Sequence, residues 1–170
     1  TALWQLTQAL LRWMAPFLSF TAEEAWKLVG QSDSIFLEEF WRFDAPDAAL
    51  LAKWARIREI REAVNKQIET LREQGQVGSS LQATAVLSAP PEDHALLASL
   101  GADLRFVFIV SAIELKAGGA LSISVSGSND QKCERCWHYL PDVGQHAEHP
   151  TLCGRCVSNL YGAGETRSIA

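Results

Sequence analysis

The sequence predicts a mainly α-helical protein with a small α/β part and a four-cysteine module at its end. Three observations predict this fold class. Apolar residues recur at helical spacing through most of the first 75 positions, strand-like apolar runs follow residue 78, and all four cysteines lie within the last 38 of 170 residues. Hydrophobic residues make up 48% and charged residues 21%, as in ordinary globular proteins. No run of 18 apolar residues is present, so we expect no transmembrane helix.

The N-terminal third is predicted to consist of short helices. A first helix over 2–18 must kink or end at Pro16, because proline has no N–H and its ring clashes with the preceding turn. Thr21 followed by Glu24 forms a capping-box pattern that opens a second helix over 21–29. This region begins without a cap, and the only methionine of the chain is internal. We therefore expect the chain to be a fragment of a longer protein.

The next region is predicted to contain an apolar connection and then a long helix. Residues 31–46 form an irregular connection that we expect to pack on the helices. Asp44 and Pro46 open a helix that runs to Gly75, with interleaved acidic and basic residues that favour a solvated, salt-bridged face over a phosphate-binding one. The chain has five tryptophans before residue 55, and we expect them to pack in cores rather than to stack on bases. They are Trp4, Trp13, Trp26, Trp41 and Trp54.

The pattern changes after residue 78 from helical spacing to short apolar runs. Strands are predicted over 82–88, 106–115 and 121–126, with a helix over 91–100 and a Gly118–Gly119 turn between the last two strands. A polar linker follows over 127–131. The predicted domains are therefore 1–78, which is helical, 79–130, which is α/β, and 131–170, which we call the cysteine module.

The cysteine module has the spacing of a four-cysteine zinc site. Two C-x2-C pairs, Cys133 with Cys136 and Cys153 with Cys156, are separated by 16 residues. Zn²⁺ takes four thiolates in a tetrahedron, which leaves no open position, so the predicted ion is structural rather than catalytic. Two disulfides or a redox pair are the weaker alternatives. His138, His146 and His149 are candidate substitute ligands, although we expect them to be exposed to solvent.

The residues inside the cysteine pairs are candidates for nucleic-acid contact. Arg135 and Trp137 flank Cys136, and Arg155 lies inside the second pair. Because the sulfurs point inward, the intervening side chains are expected to point outward, where an arginine and an indole can read and stack on a base of looped RNA. The alternative is that Trp137 is the core of the module and Arg135 is solvated. The net charge of −5 excludes a bulk basic field, so any contact must be local.

Several strings of this sequence resemble bacterial isoleucyl-tRNA synthetases. Lys132–Tyr139 (KCERCWHY) and Leu152–Leu160 resemble the C-terminal zinc module of that family, and Gly162–Arg167 resembles its ending. Pro16–Trp26 and Trp54–Glu69 are similar to the anticodon-binding helical domain shared by the isoleucyl, valyl, leucyl and methionyl class I enzymes. The resemblance thus runs in order over nearly the whole chain.

The resemblance implies a fold and a function. The three predicted domains become the C-terminal part of a helical anticodon-binding bundle, a small α/β junction domain and a zinc module. The parent enzyme ligates isoleucine to its tRNA using ATP. This sequence contains neither the His-x-Gly-His nor the Lys-Met-Ser-Lys-Ser signature, so we expect no catalytic or ATP-binding residue in it.

The resemblance also implies site residues, partners and a location. Arg135 and Trp137 correspond to the residues that meet the anticodon loop, and the four cysteines correspond to the ligands of one structural Zn²⁺. The implied partners are isoleucine tRNA and the rest of the parent chain. We expect a cytoplasmic monomer with no membrane contact. Two alternatives remain, namely a purely structural zinc module that braces the chain end and an independent DNA-binding zinc ribbon, which the acidic net charge disfavours.

Overall fold

The computed structural model describes residues 2–30 and 33–166. Arg167, the last residue of the string that resembles the family's ending, therefore lies outside the described residues. The chain forms two compact units, Thr1–Asp47 and Ala48–Ala170. Within the described residues, no helix is both long and apolar enough to span a bilayer. The secondary structure is mixed, with six α-helices and five strands among those residues.

The first unit contains helices α1 (Ala2–Met14) and α2 (Ser19–Leu28) and a short 3-10 turn over Ile35–Leu37. The first helix ends before Pro16, as predicted. The predicted capping box is wrong, because α2 begins before Thr21 and no side chain caps it. One turn into α2, Glu23 instead accepts hydrogen bonds from the backbone N–H of Ile35 and from Ser34, both at 3.0 Å. The bond from Ile35 is the main reason why the pKa of Glu23 is lowered.

The first unit buries few apolar side chains and exposes many. Trp26 lies in its small core, whereas Trp4 and Trp13 are about half exposed, so the prediction of core packing is wrong for those two. Arg12 is buried, donates to Glu38 at 2.6 Å and lies 4.5 Å from the centre of the Trp26 ring. The connection packs on the helices only in part. Its exposed apolar residues are Phe36, Leu37, Phe40 and Phe43.

The second unit is built on helix α3 (Ala48–Glu73), which begins after Pro46 and ends before Gly75, close to the predicted bounds. One face of α3 is fully buried against a three-stranded sheet. The buried residues of that face are Ile57, Ile60, Val64 and Ile68. They recur at three- and four-residue intervals, which is the spacing that the sequence showed.

The sheet has the strand order β2-β1-β3, with β1 (Ala83–Ala89) in the centre. Strand β2 (Ala112–Ala117) is parallel to β1, and β3 (Ser122–Gly127) is antiparallel to it. Alternate residues of β1 are buried, and those in the shared core pack together with α3 and helix α4 (Pro91–Ala98). We refer to the elements from α3 to β3 as the α/β core.

The predicted strand over 106–115 is wrong in its first half. Leu104–Phe108 forms a short helix, α5, which ends at Ile109 in a left-handed conformation (φ 55°), and β2 begins only at Ala112. A short apolar run has no periodicity that separates a buried helix from a strand, and here the run changes conformation in its middle. The Gly118–Gly119 turn does join β2 to β3, but these strands lie on opposite sides of β1 and do not pair.

The cysteine module completes the second unit. A two-stranded sheet pairs β4 (Gln131–Lys132) with β5 (Tyr139–Leu140), and helix α6 (Gly154–Tyr161) follows a loop. Since this module and the α/β core belong to one compact unit, their mutual contacts define how the module is held.

Candidate metal centre and nucleic-acid interface

The two cysteine pairs are positioned by different local structures. The first pair lies in the loop of the β4–β5 hairpin, where the N–H of Cys133 donates to the carbonyl of His138 and the N–H of Trp137 donates to the carbonyl of Cys133, both at 2.9 Å. The second pair lies at the start of α6. Cys153 precedes the helix, and Asp142 accepts the N–H of Gly154 at 2.7 Å.

The four sulfurs converge on one point. The Sγ atoms of Cys133, Cys136, Cys153 and Cys156 all lie within 4.8 Å of one another, and three of the four residues are buried. The Sγ atoms of Cys136 and Cys153 are 3.7 Å apart. A tetrahedral zinc with Zn–S bonds of about 2.3 Å places its sulfurs about 3.8 Å apart. The four sulfurs therefore fit Zn²⁺. None of the four cysteines forms a disulfide.

The cysteine thiols differ in pKa, because backbone N–H groups surround the sulfur of Cys133. Burial raises the pKa of Cys133, but this is outweighed by N–H groups of Cys136, Cys153 and Arg135, so that the pKa falls to about 6. The N–H of Cys153 lies 3.4 Å from that sulfur. Burial raises the pKa of Cys136 and of Cys153. The backbone thus favours the thiolate of Cys133, whereas Cys136 and Cys153, whose pKa values are raised, would need the charge of a bound metal to ionise.

The histidines of the module lie outside the metal cluster. Among the described residues, the group that could hold a metal consists of the four cysteines alone. His149 stacks on Tyr161 with ring centres 3.9 Å apart. His138 is only 8% exposed, so the prediction of a solvent-exposed ring is wrong for this residue. Burial lowers its pKa, and the nearby charges of Arg105 and Arg155 lower it further.

Trp137 projects from the first cysteine pair into solvent. Its side chain is 59% exposed, and its backbone adopts a left-handed conformation with φ of 64°. The ammonium of Lys132 lies 5.5 Å from the centre of the indole ring. The small apolar cluster of the module contains Val143 and Leu152 but not Trp137. The left-handed region is rare for a bulky residue, and here the ring does not join the apolar cluster of the module.

The two arginines between the cysteines differ from each other. Arg135 is exposed, and its Nη1 lies 3.7 Å from the Sγ of Cys156. Arg155, which we also expected to point outward, folds back instead and pairs with Glu165 through two hydrogen bonds of 2.6 and 2.7 Å. Its guanidinium lies 4.7 Å from the centre of the Phe106 ring.

Sequence reasoning missed two residues that hold the module, Phe106 and Ser111. The fully buried hydroxyl of Ser111 donates to the carbonyl of Leu81 and accepts the N–H of Tyr139 at 2.6 Å. The available signal was the position of Ser111, a polar residue in an otherwise apolar run, since a buried hydroxyl must find hydrogen-bond partners.

Comparisons with known proteins agree with this geometry. Residues 1–87 match the family described as "Anticodon-binding domain of tRNA ligase", and residues 130–159 match "Zinc finger found in FPG and IleRS". The chain is 53% identical to the isoleucine–tRNA ligase of Ralstonia pickettii over 99% of its length. It is 52% identical to those of Burkholderia mallei and Bordetella pertussis over its whole length. It spans about a fifth of the length of these relatives, 19% in each case.

Proposed function

Because the chain belongs to the anticodon-binding domain family of tRNA ligases, we propose that it is the tRNA-binding, anticodon-side C-terminal region of an isoleucine–tRNA ligase. The whole ligase would join isoleucine to its tRNA at the expense of ATP, and this region would bind and orient the tRNA without catalysing the reaction. The relatives named isoleucine–tRNA ligase support the amino-acid identity.

The metal centre is a structural one in this proposal. Cys133, Cys136, Cys153 and Cys156 hold one Zn²⁺, whose chemistry is to gather four thiolates and to fix both cysteine pairs. The convergence of the four sulfurs and the zinc-finger match support this assignment. Four thiolates with one Zn²⁺ carry a formal charge of −2, so the ion itself does not attract RNA. Reduced thiolates also favour a cytoplasmic protein.

The contact with RNA is proposed to rest on Arg135 and Trp137. The single observation that carries it is the exposed indole held in a left-handed conformation directly after Cys136. Such strain persists where the surroundings impose it, and it concentrates at functional sites. The face of the indole that Lys132 does not cover can stack on an unpaired base of the anticodon loop. Arg135, two residues earlier in the chain, is exposed and can supply guanidinium donors to the same loop.

The proposed division of the chain follows the same argument. The family match over residues 1–87 supports a helical region that includes α3, here 1–78. The α/β junction over 79–130 then connects this region to the cysteine module over 131–170, which carries Arg135 and Trp137. The buried face of α3 packs on the sheet of the junction, so α3, the last helix of this region, shares a core with the junction inside the unit Ala48–Ala170.

The experiment that tests the proposal replaces Trp137 with glycine. Glycine adopts a positive φ at no steric cost, so we expect the variant to keep one equivalent of zinc and at least wild-type stability. Loss of base stacking is worth about 1–3 kcal/mol, so affinity for isoleucine tRNA should fall about 5- to 150-fold. Affinity is measured by filter binding with the zinc-loaded chain.

A matched control uses another exposed apolar residue of the cysteine module. Leu160→Ala removes surface from α6 without a ring that can stack, and we expect its tRNA affinity to match that of the wild type. If Trp137→Gly binds tRNA as tightly as the wild type while retaining zinc, the indole has no role in recognition. The proposal that the indole carries the contact with RNA would then be overturned.

A further inference from the structure

We propose that Arg155 is a positioning residue that clamps the cysteine module onto the α/β core and so fixes the direction in which Arg135 and Trp137 face RNA. The clamp comprises Arg155, Glu165 and Phe106. Its RNA-binding consequence rests on the proposed function, whereas the clamp itself is a property of the protein alone.

The side chain of Arg155 is committed to contacts within the protein. It is only 19% exposed, and its Nε and Nη2 atoms donate to the two carboxylate oxygens of Glu165. Its guanidinium also lies over the Phe106 ring. A planar guanidinium is suited to both contacts at once, because it pairs with a carboxylate in its plane and stacks on a ring with its face.

The carboxylate partner is itself held in place. The backbone N–H of Glu165 donates to the side-chain oxygen of Asn159 at 2.8 Å, and the N–H of Gly164 donates to the carbonyl of Ser158 at 3.1 Å. Both acceptors lie on α6, the same helix that carries Arg155. The segment after α6 therefore folds back along the helix and presents Glu165 to Arg155 as a fixed partner.

Phe106 joins this cluster to both cysteine pairs. The ring lies edge-on to His138, with centres 5.5 Å apart, while the guanidinium of Arg155 lies against the same ring. His138 lies two residues after the first cysteine pair, in the same hairpin loop, and Arg155 lies inside the second pair. A third connection is the hydrogen bond from the N–H of Tyr139 to Ser111. One short segment of the α/β core, from α5 to the start of β2, thus contacts residues at both cysteine pairs.

The consequence for recognition follows from chain connectivity. Trp137, His138 and Tyr139 are consecutive, and the last two contact the α/β core directly. The orientation of the indole is therefore tied to the core through its immediate neighbours. Loss of the clamp would free the second cysteine pair and remove the guanidinium that packs on the Phe106 ring, against which His138 rests. The hydrogen bond from Tyr139 to Ser111 would remain, so the direction of Trp137 would be held less firmly, and a less organised contact binds more weakly.

The first experiment needs no RNA. It uses the zinc-loaded chain, the variants Arg155→Ala and Glu165→Gln, and backbone ¹⁵N relaxation as the readout. In the wild type we expect residues 131–166 and the α/β core to tumble with one correlation time. In both variants, with one equivalent of zinc retained, we expect a shorter correlation time for residues 131–166. Identical correlation times in Arg155→Ala and wild type would overturn the clamp.

The second experiment separates positioning from direct phosphate contact. Glu165→Gln removes a negative charge, which by itself should favour RNA, so a 3- to 10-fold loss of tRNA affinity would reflect lost positioning. For Arg155→Ala we expect a 5- to 20-fold loss with an unchanged slope of log affinity against log salt. A shallower slope for Arg155→Ala together with unweakened binding by Glu165→Gln would overturn the inference, since Arg155 would then bind phosphate itself.

The two experiments distinguish the failure of this inference from failure of the proposed function. If wild-type chain fails to bind tRNA, the proposed function fails, and the relaxation measurements still decide the clamp. If wild-type chain binds tRNA but the variants match it in both tumbling and affinity, the clamp fails and the proposed function stands.

Discussion

The α/β core and the cysteine module lie in one compact unit but are stabilised in different ways. The core buries a continuous cluster of 13 apolar residues contributed by its helices, by β1 and by the loops between them. The buried cluster of the module consists of Val143 and three cysteines. A region as short as 131–166 has too little apolar surface for an independent hydrophobic core, and bound zinc can supply about 10–16 kcal/mol instead. The fold of the α/β core is therefore specified by the periodic spacing of apolar residues, and that of the cysteine module by the spacing of its metal ligands.

The largest expected effect is that of removing the metal. Chelation of zinc, or Cys153→Ser, should unfold residues 131–166, because the four sulfurs are their main point of convergence. The α/β core should remain folded, because its cluster contains no cysteine. Amide spectra before and after chelation, with metal analysis, provide the measurement. Loss of the resonances of α3 and β1 on chelation would show that the two regions do not differ as described.

The opposite experiment perturbs the α/β core and leaves the metal site unchanged. Phe108 is fully buried, and Phe108→Ala should lower the free energy of unfolding by about 3–5 kcal/mol through lost burial and a cavity. Zinc content should remain at one equivalent below the unfolding transition, because the metal site does not depend on that packing. Urea denaturation and metal analysis test this. Ser124→Ala, on the exposed face of β3, serves as the control and should change stability by less than about 0.5 kcal/mol.

The comparison also explains how much the sequence could predict. Helix α3 was predictable because its buried residues, from Ile57 to Ile68, follow one period over about three turns. The metal site was predictable because two C-x2-C pairs have few other uses. The change from α5 to β2 was not predictable, because it depends on the left-handed Ile109 within an apolar run. The inward turn of Arg155 was not predictable either, since its partners Phe106 and Glu165 are brought near by tertiary folding.

A smaller loss of stability is expected from a substitution at Gly118, where the chain crosses the end of β1. The N–H of Gly118 donates to the carbonyl of Ala89 at 2.8 Å, and an added Cβ at Gly118 would lie 2.1 Å from the Oγ of Ser88. Gly118→Ala should therefore cost about 1–3 kcal/mol by overpacking. Gly119→Ala, where a Cβ meets nothing within 4 Å, is the matched control and should be near neutral.

A double variant sharpens this prediction. If the clash with the hydroxyl is the cause, Ser88→Ala should recover most of the loss when combined with Gly118→Ala, and a double-mutant cycle in urea measures the recovery. Equal losses with and without the serine hydroxyl would instead place the cost in the backbone of the turn. Zinc content should be unaffected throughout, because the affected strand end belongs to the α/β core.

The smallest effect is expected from an ion pair of the core, and it depends on pH. Arg56 donates to both carboxylate oxygens of Asp93 at 2.9 and 2.7 Å, and these bonds lower the pKa of Asp93. Because the folded pKa lies below the unfolded value, the stabilisation is present above the unfolded pKa of about 4 and is lost as the pH falls through the folded pKa. Arg56 is 45% exposed, so solvent screening limits the gain to about 1 kcal/mol.

The measurement is the difference in unfolding free energy between wild type and Asp93→Asn as a function of pH. We expect about 1 kcal/mol at pH 7 and a difference that shrinks below pH 4. Both proteins release zinc in acid, because protons compete with the metal for the thiolates. The difference between their unfolding free energies cancels this shared effect. Glu59→Gln removes the exposed second partner of Arg56 and should show almost no effect. A difference that persists undiminished at low pH would mean that Asp93 stabilises α4 by some means other than its charge.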